Sequence, residues 1–421
     1  MKLNYKRTVL IGLAFLSISA FWQLYDNVIP LILTNSFGLG DTVTGMVMGA
    51  DNVIALFLLP LFGSISDKVD TKLGKRMPFI VLGTIAASIF LSLLPIADNA
   101  RNLPMFVGIL FILLLSMGFY RSPAVALMPD LTPKPLRSKG NAVINLMGAL
   151  GGIITLVLIK FLVGKGTTPN YQPLFMAIVA LMLVCVGILF LTIKEKKLAA
   201  QMVEEEEEVV ETKETKELSK GEKKSLLFLL LSVAFWFIAY NAVTSAFSRY
   251  ATHVWGLENG GYANCLLIAT GAAIVSYLPI GMLAGKIGRK KTILVGIVLL
   301  AACFLSAGFY GQYHWTMTLF FAIIGFAWAA ISVNSLPMVL EIASDADVGK
   351  YTGLYYTFSM SAQIITPVLS GFLLENVSYR TLFPYSFVFA TIAFITMSMV
   401  KHGDVKPLAK KSVLESFDVE D

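Results

Sequence analysis

The chain has 421 residues, of which 56% are hydrophobic and only 14% charged. A soluble domain carries roughly 25% charged residues, so this composition excludes an ordinary soluble globule and points to lipid as the solvent. The formal net charge of +6 is not a nucleic-acid footprint, because the basic residues gather in short loops on one side of the apolar segments, as in a membrane protein.

Apolar runs of about 18 or more residues with few charges read as transmembrane helices. Twelve follow one another along the chain. They begin near Thr8, Thr42, Met77, Leu103, Asn141 and Gln172, then near Ser225, Tyr262, Lys291, Trp315, Thr352 and Leu382. The first follows Lys2, Lys6 and Arg7. It is too long for a signal peptide, lacks a small-residue cleavage site and contains Asp26 and Pro30, so it is counted as a span. If the N-terminus is cytoplasmic, 27 of the 33 Lys and Arg lie in inside loops and tails. Arg101, Lys160, Lys165 and Arg380 lie outside, and Arg121 and Arg249 lie within spans. That asymmetry predicts a multi-pass protein of the cell membrane with both termini cytoplasmic. The fold expected is all-α, with twelve transmembrane helices in two pseudo-symmetric six-helix bundles. The first bundle is residues 1–193 and the second 225–400, joined by a charged cytoplasmic linker, 194–224, and followed by a tail, 401–421. The linker holds Glu204 to Glu208 and then alternating Lys and Glu, which cannot build a packed core.

The two halves echo each other. Phe21-Trp22 followed by Asn27 matches Phe235-Trp236 followed by Asn241, 214 residues on. Ser122-Pro123 before Asp130 matches Leu336-Pro337 before Glu341. The loop with Gly63, Asp67 and Lys68, then Gly74-Lys75-Arg76, matches Gly281, then Gly285-Lys286-Ile287-Gly288-Arg289. Repeated six-helix halves with a substrate site near the midplane are the architecture of alternating-access transporters.

The loop pattern Gly-x-x-x-Asp-Lys followed by Gly-Lys-Arg resembles the signature of the major facilitator superfamily, lengthened between Asp67 and Gly74. The stretch Ser64 to Asp67 with Leu73 to Ile80, and Ser122 to Thr132, are similar to the sucrose-transporter branch of the glycoside–pentoside–hexuronide:cation symporters. Gly349 to Pro367 resembles the same branch. The resemblance spans nearly the whole chain and implies the major facilitator fold, sugar transport and cation coupling. The arginine common in the plant members falls at Val125, with Arg121 one helical turn earlier on the same face. That departure speaks against sucrose itself, though not against a sugar-like polyol. Gating is assigned to Gly63, Asp67, Lys68, Gly74, Lys75 and Arg76, with Asp130 and Glu341 at cytoplasmic helix ends. The glycines are expected to let the second and eleventh spans approach, and Asp67 to bridge to the opposite half when the outside is open.

Charges inside spans are costly and seldom kept without a use. Asp26 lies about eight residues before the outer end of the first span, and Asp51 about nine after the outer start of the second. At about 1.5 Å per residue both sit roughly 12–13 Å deep. A carboxyl group in low dielectric holds its proton more tightly, and a second nearby adds to the effect, which is the chemistry of a proton carrier. Asp26, Asp51 and Arg121 are therefore the predicted proton-coupling residues, although the sequence does not separate H⁺ from Na⁺. Sugars are held by planar hydrogen-bonding groups and an aromatic face. Trp22, Tyr25, Asn27, Asn52, Tyr240, Asn241, Asn334 and Gln363 supply such groups, with Trp328 beside them. Arg249 and His253 read as interfacial residues.

The leading expectation is a proton-coupled sugar symporter, monomeric, whose partners are a small-molecule substrate, a coupling ion and the bilayer, with no nucleic acid. An exporter of the same fold and a non-transporting membrane sensor or scaffold are the rivals. An enzyme is excluded: no nucleophile–base set, metal cluster or phosphate cradle appears, and His253, His314 and His402 are scattered. Cys185, Cys265 and Cys303 read as small apolar residues. No cofactor or metal is expected, and Gly148 to Gly152 are read as a helix-packing surface.

Overall fold

The computed structural model describes residues 3–132, 136–164, 169–206, 218–258, 260–342 and 348–404. Six long helices come first: α1 (Tyr5–Leu31), α2 (Asp41–Lys68), α3 (Met77–Asn99), α4 (Leu103–Asp130), α5 (Arg137–Leu162) and α6 (Gln172–Thr192). A short helix in the linker, α7 (Glu195–Glu206), precedes α8 (Lys220–Trp255), α9 (Ala263–Ile287), α10 (Arg289–Gly308), α11 (Thr316–Ile342), α12 (Val348–Asn376) and α13 (Leu382–Ser398). Apart from an isolated bridge between Thr71 and Gly74, the described residues form no strand. Helices suit a chain in lipid, because each backbone N–H and C=O is satisfied within its own segment.

Among the described residues, eleven helices are long and apolar enough to cross a membrane, and α9 makes a twelfth if its two parts count as one span. Its segments Ala263–Tyr277 and Pro279–Ile287 meet at 53°, where Pro279 removes an amide donor and crowds the preceding turn. Local signals set the other helix ends. Asn4 caps α1, its side chain accepting from the Arg7 amide at 3.1 Å. Ser219 and Glu222 form a reciprocal capping box at the start of α8. Gly256, at φ +64°, ends α8 in the left-handed region. A five-residue π turn, Ile32–Ser36, follows Pro30 at the end of α1.

The chain divides into two compact units. The first comprises residues 1–39, 50–210 and 258–263, and the second 40–49, 211–257 and 264–421. The opening turns of α2 thus cluster with the second unit and the rest of α2 with the first. In the linker, α7 is helical, while Glu207 and Glu208 lie outside the described residues, as does the tail beyond Asp404.

In the first unit α5 lies against α1 so closely that a Cβ at Gly151 would sit 2.1 Å from the Leu16 carbonyl oxygen. The glycine surface expected between Gly148 and Gly152 is therefore a helix-packing surface, with small residues admitting a neighbouring backbone. In the second unit the start of α2 meets α12 in the same way: a Cβ at Gly45 would lie 2.0 Å from the Pro367 carbonyl oxygen. Close approach of the second and eleventh spans was expected from the loop glycines. Gly63 instead faces Ser122 of α4, 3.1 Å from where its Cβ would be, since it lies on a different turn of α2 from Gly45.

Candidate functional site

The first unit brings Asp26, Asp51 and Arg121 together, from α1, α2 and α4. All three are half-buried. The Asp51 carboxylate and the Arg121 guanidinium lie within electrostatic range of Asp26, and Arg121 also acts on Asp51. Asn52 donates its side-chain amide to Asp51 Oδ1 at 2.8 Å. Arg121 lies over the indole of Trp22, 5.6 Å from the ring centroid, a distance at which a cation is attracted to the aromatic face. Trp22 stands edge-on to Phe21 and Tyr25, at 5.0 and 5.4 Å between centroids. Its buried Nε1 has no hydrogen-bond acceptor among the described residues. Two carboxylates and a guanidinium in low dielectric can exchange a proton among alternatives or hold a cation.

The remaining α1 candidates are enclosed. Tyr25 is 1% exposed and Asn27 2%. Asn27 donates its side-chain amide to the Gln23 carbonyl at 2.9 Å, while its own carbonyl accepts from the Tyr262 hydroxyl at 3.4 Å. These two therefore line the protein interior rather than an accessible surface.

In the second unit Tyr240 and Trp328 stack face to face, their centroids 3.7 Å apart and their planes 6° from parallel. Phe237 meets Trp328 edge-on at 5.4 Å. Tyr240, Asn241 and Gln363 are half-buried, and the buried Nδ2 of Asn241 lacks an acceptor among the described residues. Asn334 is enclosed and donates to the Ala330 carbonyl at 2.9 Å. Trp236, the counterpart of Trp22 in the sequence repeat, is fully buried; the repeated dipeptide does not place its two indoles in like surroundings.

The loop residues build a separate cluster at the end of the first unit where α2 meets α3. Arg76 donates Nε to Asp130 Oδ2 at 2.8 Å, Nη2 to Asp67 and Nη1 to Ser66. Burial alone would lower the Arg76 pKa, but Asp130 and Asp67 outweigh it and hold the guanidinium charged above its ordinary range. A described partner of Asp67, in the last turn of α2, is thus Arg76, nine residues along the chain. Lys68 and Lys75 are exposed. The Glu195 carboxylate accepts the amides of Lys75, Arg76 and Met77 at 2.8–2.9 Å, satisfying the open amides at the start of α3. Gly74, at φ +116°, leaves room for that carboxylate: a Cβ there would lie 2.4 Å from Glu195 Oε2.

The second unit repeats this construction. Arg289 donates to Glu341, and the Lys290 amide donates to Asp404 Oδ1 at 2.9 Å. Gly288, at φ +93°, would bring a Cβ within 2.8 Å of Asp404. Arg76 with Asp130 and Glu195 therefore corresponds to Arg289 with Glu341 and Asp404. Glu195 and Asp404 were not singled out from the sequence. The available signal was an acid just after the sixth and the twelfth apolar run.

At the opposite end of the second unit Arg249 is completely buried and donates Nη1 to Asp41 at 2.5 Å. Asp41 is itself 5% exposed. Arg249 is thus not interfacial, as its position near a span end suggested; α2 supplies a carboxylate that draws it inward. The Thr42 amide, one residue on, donates to Glu375 of α12 at 2.7 Å.

Comparison with known proteins agrees with this architecture. The profile of the MFS/sugar transport protein family matches residues 10–400. An uncharacterized MFS-type transporter of Methanocaldococcus jannaschii is 25% identical over 386 residues, 90% of each chain. The isoprimeverose transporter of Lactiplantibacillus pentosus is 22% identical over 288 residues, 66% of this chain and 59% of that one. Among solved structures, the nucleoside transporter NupG superposes with a TM-score of 0.69 over 94% of this chain and 100% of that one, at 14% identity, a likeness of fold alone. Eleven or twelve apolar spans, a twice-used arginine–carboxylate loop cluster and a family match over nearly the whole length lead to one assignment: the chain belongs to the MFS/sugar transport protein family of the major facilitator superfamily and is a membrane transporter, not an enzyme.

Proposed function

We propose that the protein is a proton-coupled sugar symporter of the cell membrane working by alternating access, with both termini cytoplasmic. The observation that carries the reading is the grouping of Asp26, Asp51 and Arg121 within the first unit, on three neighbouring apolar helices. A proton on one carboxylate would leave Arg121 to the other, and its loss would leave two anions competing for one guanidinium. Protonation and the pairing of Arg121 are then coupled, as ion-driven transport requires. The family description and the isoprimeverose transporter support a sugar as the substrate. Trp22 and Asn52 in the first unit, and Tyr240, Asn241 and Gln363 in the second, are the accessible candidates for contact with it.

The test is uptake into proteoliposomes across a sugar panel, under an imposed proton or sodium gradient, for the parent, Asp26→Asn and Asp51→Asn. An amide keeps the shape of the protonated acid and removes only its titration. At least one variant should still exchange sugar in counterflow while losing gradient-driven accumulation. Accumulation by both variants at the parent's level would exclude proton coupling through this pair. A sodium requirement would turn the same acids into a cation site.

A further inference from the structure

A groove of about 700 Å³ lies on the second unit, lined by Lys286, Ile287, Lys291, Leu294, Val298 and Phe394 among others. These come from the end of α9, the first half of α10 and the last turns of α13. Its two ends differ in chemistry. One holds the exposed ammonium groups of Lys286 and Lys291, on either side of the tight turn at Gly288. The other is apolar and open to the surroundings, with Val295 and Val298 42% and 49% exposed. From Lys291 to Val298 is seven residues of helix, about 10 Å, running from the charged end of α10 toward the middle of its span.

Four bases surround this turn, and two of them have structural work. Arg289 donates to Glu341, and Lys290 donates Nζ to the Ser398 and Val400 carbonyls at the end of α13. Lys286 and Lys291 meet no acid or carbonyl among the described residues. The described residues of the groove lining include no carboxylate to neutralise them.

We propose that this groove binds one anionic phospholipid, its phosphate held between Lys286 and Lys291 and an acyl chain laid along Leu294, Val298 and Phe394. Two cations with no described acid partner above an apolar trough match the order of charge and hydrocarbon in a lipid standing in one leaflet. Basic pockets between membrane helices favour anionic head groups, at about 1 kcal/mol for each Lys or Arg near the surface. That corresponds to roughly five-fold in affinity per lysine, or about 25-fold for the pair.

The experiment uses the full chain in detergent, titrated with palmitoyl-oleoyl phosphatidylglycerol and followed by native mass spectrometry and thermal melting. One lipid should be retained. Lys286→Gln with Lys291→Gln should weaken retention about 25-fold, and each single change about five-fold. Val298→Trp, which fills the trough and leaves both charges, should also weaken it several-fold. Phosphatidylcholine with the same chains should bind the parent no better than phosphatidylglycerol binds the double variant, and glycerol 3-phosphate should not compete. Melting without lipid identifies variants that fold; if the double variant does not, the single changes decide. Undiminished phosphatidylglycerol binding in the charge variants or in Val298→Trp, or equal retention of phosphatidylcholine, would overturn the proposal.

Discussion

Arg249 shows what one buried charge demands of its neighbours. It has no exposed surface, donates to Asp41 through Nη1, and leaves Nε and Nη2 buried without a hydrogen bond among the described residues. Breaking such a pair from one side leaves an uncompensated ion in low dielectric, which costs about 3–5 kcal/mol. Asp41→Asn should therefore lower the melting temperature of the detergent-purified protein markedly. Asp41→Leu combined with Arg249→Met should recover most of the loss, because replacing both ions with apolar groups removes the desolvation penalty of each. A double variant as unstable as Asp41→Asn would mean that the pair is held for more than charge balance. At this scale the sequence was legible where a charge interrupted an apolar run, as at Asp26, Asp51 and Arg121. It was not legible where both partners sat near span ends. Asp41 and Arg249 are 208 residues apart, and nothing in a local pattern reports that separation.

Among the elements, the starts of α3 and α10 carry the clearest argument. Each opens with a glycine at positive φ, beneath an acid that arrives from a segment more than 110 residues away. Gly74→Ala meets two costs together: a left-handed backbone that L side chains avoid, at about 1–3 kcal/mol, and a methyl group 2.4 Å from the Glu195 carboxylate. Gly187→Ala is the matched control. It lies inside α6 with nothing within 4 Å of the added methyl, where alanine is favoured over glycine by up to about 1 kcal/mol. Melting curves should show a loss for the first and no loss for the second; equal behaviour would remove the cap from the account of α3 stability. The helices were legible because hydropathy is a running property of the chain. The caps were not, because a carboxylate that caps from afar looks like any other acid in a polar loop.

For the whole molecule, orientation remains the property read from charge alone. The positive-inside reading predicts that cysteines at Lys197 and Asn99, exposed at opposite ends of the first unit, label from opposite sides of sealed cells. With a cytoplasmic N-terminus, Asn99→Cys should react with an impermeant maleimide from outside and Lys197→Cys only after permeabilisation. The reverse pattern would invert the protein. The all-helical, many-span character was legible from composition. The allocation of the first turns of α2 to the second unit was not, because it rests on contacts of Gly45 and Asp41 with residues from the far half of the sequence.

The duplicated cap has a consequence for biosynthesis. Glu195 closes the start of α3 from the segment just after the sixth span, and Asp404 closes the start of α10 from the segment just after the twelfth. Neither acid is borrowed across the linker. A ribosome that has released residues 1–206 has already delivered every group needed to finish that helix terminus, and the same holds for a chain that begins at Leu218. Each of these two helix starts can thus close on its own stretch of chain, without waiting for the other.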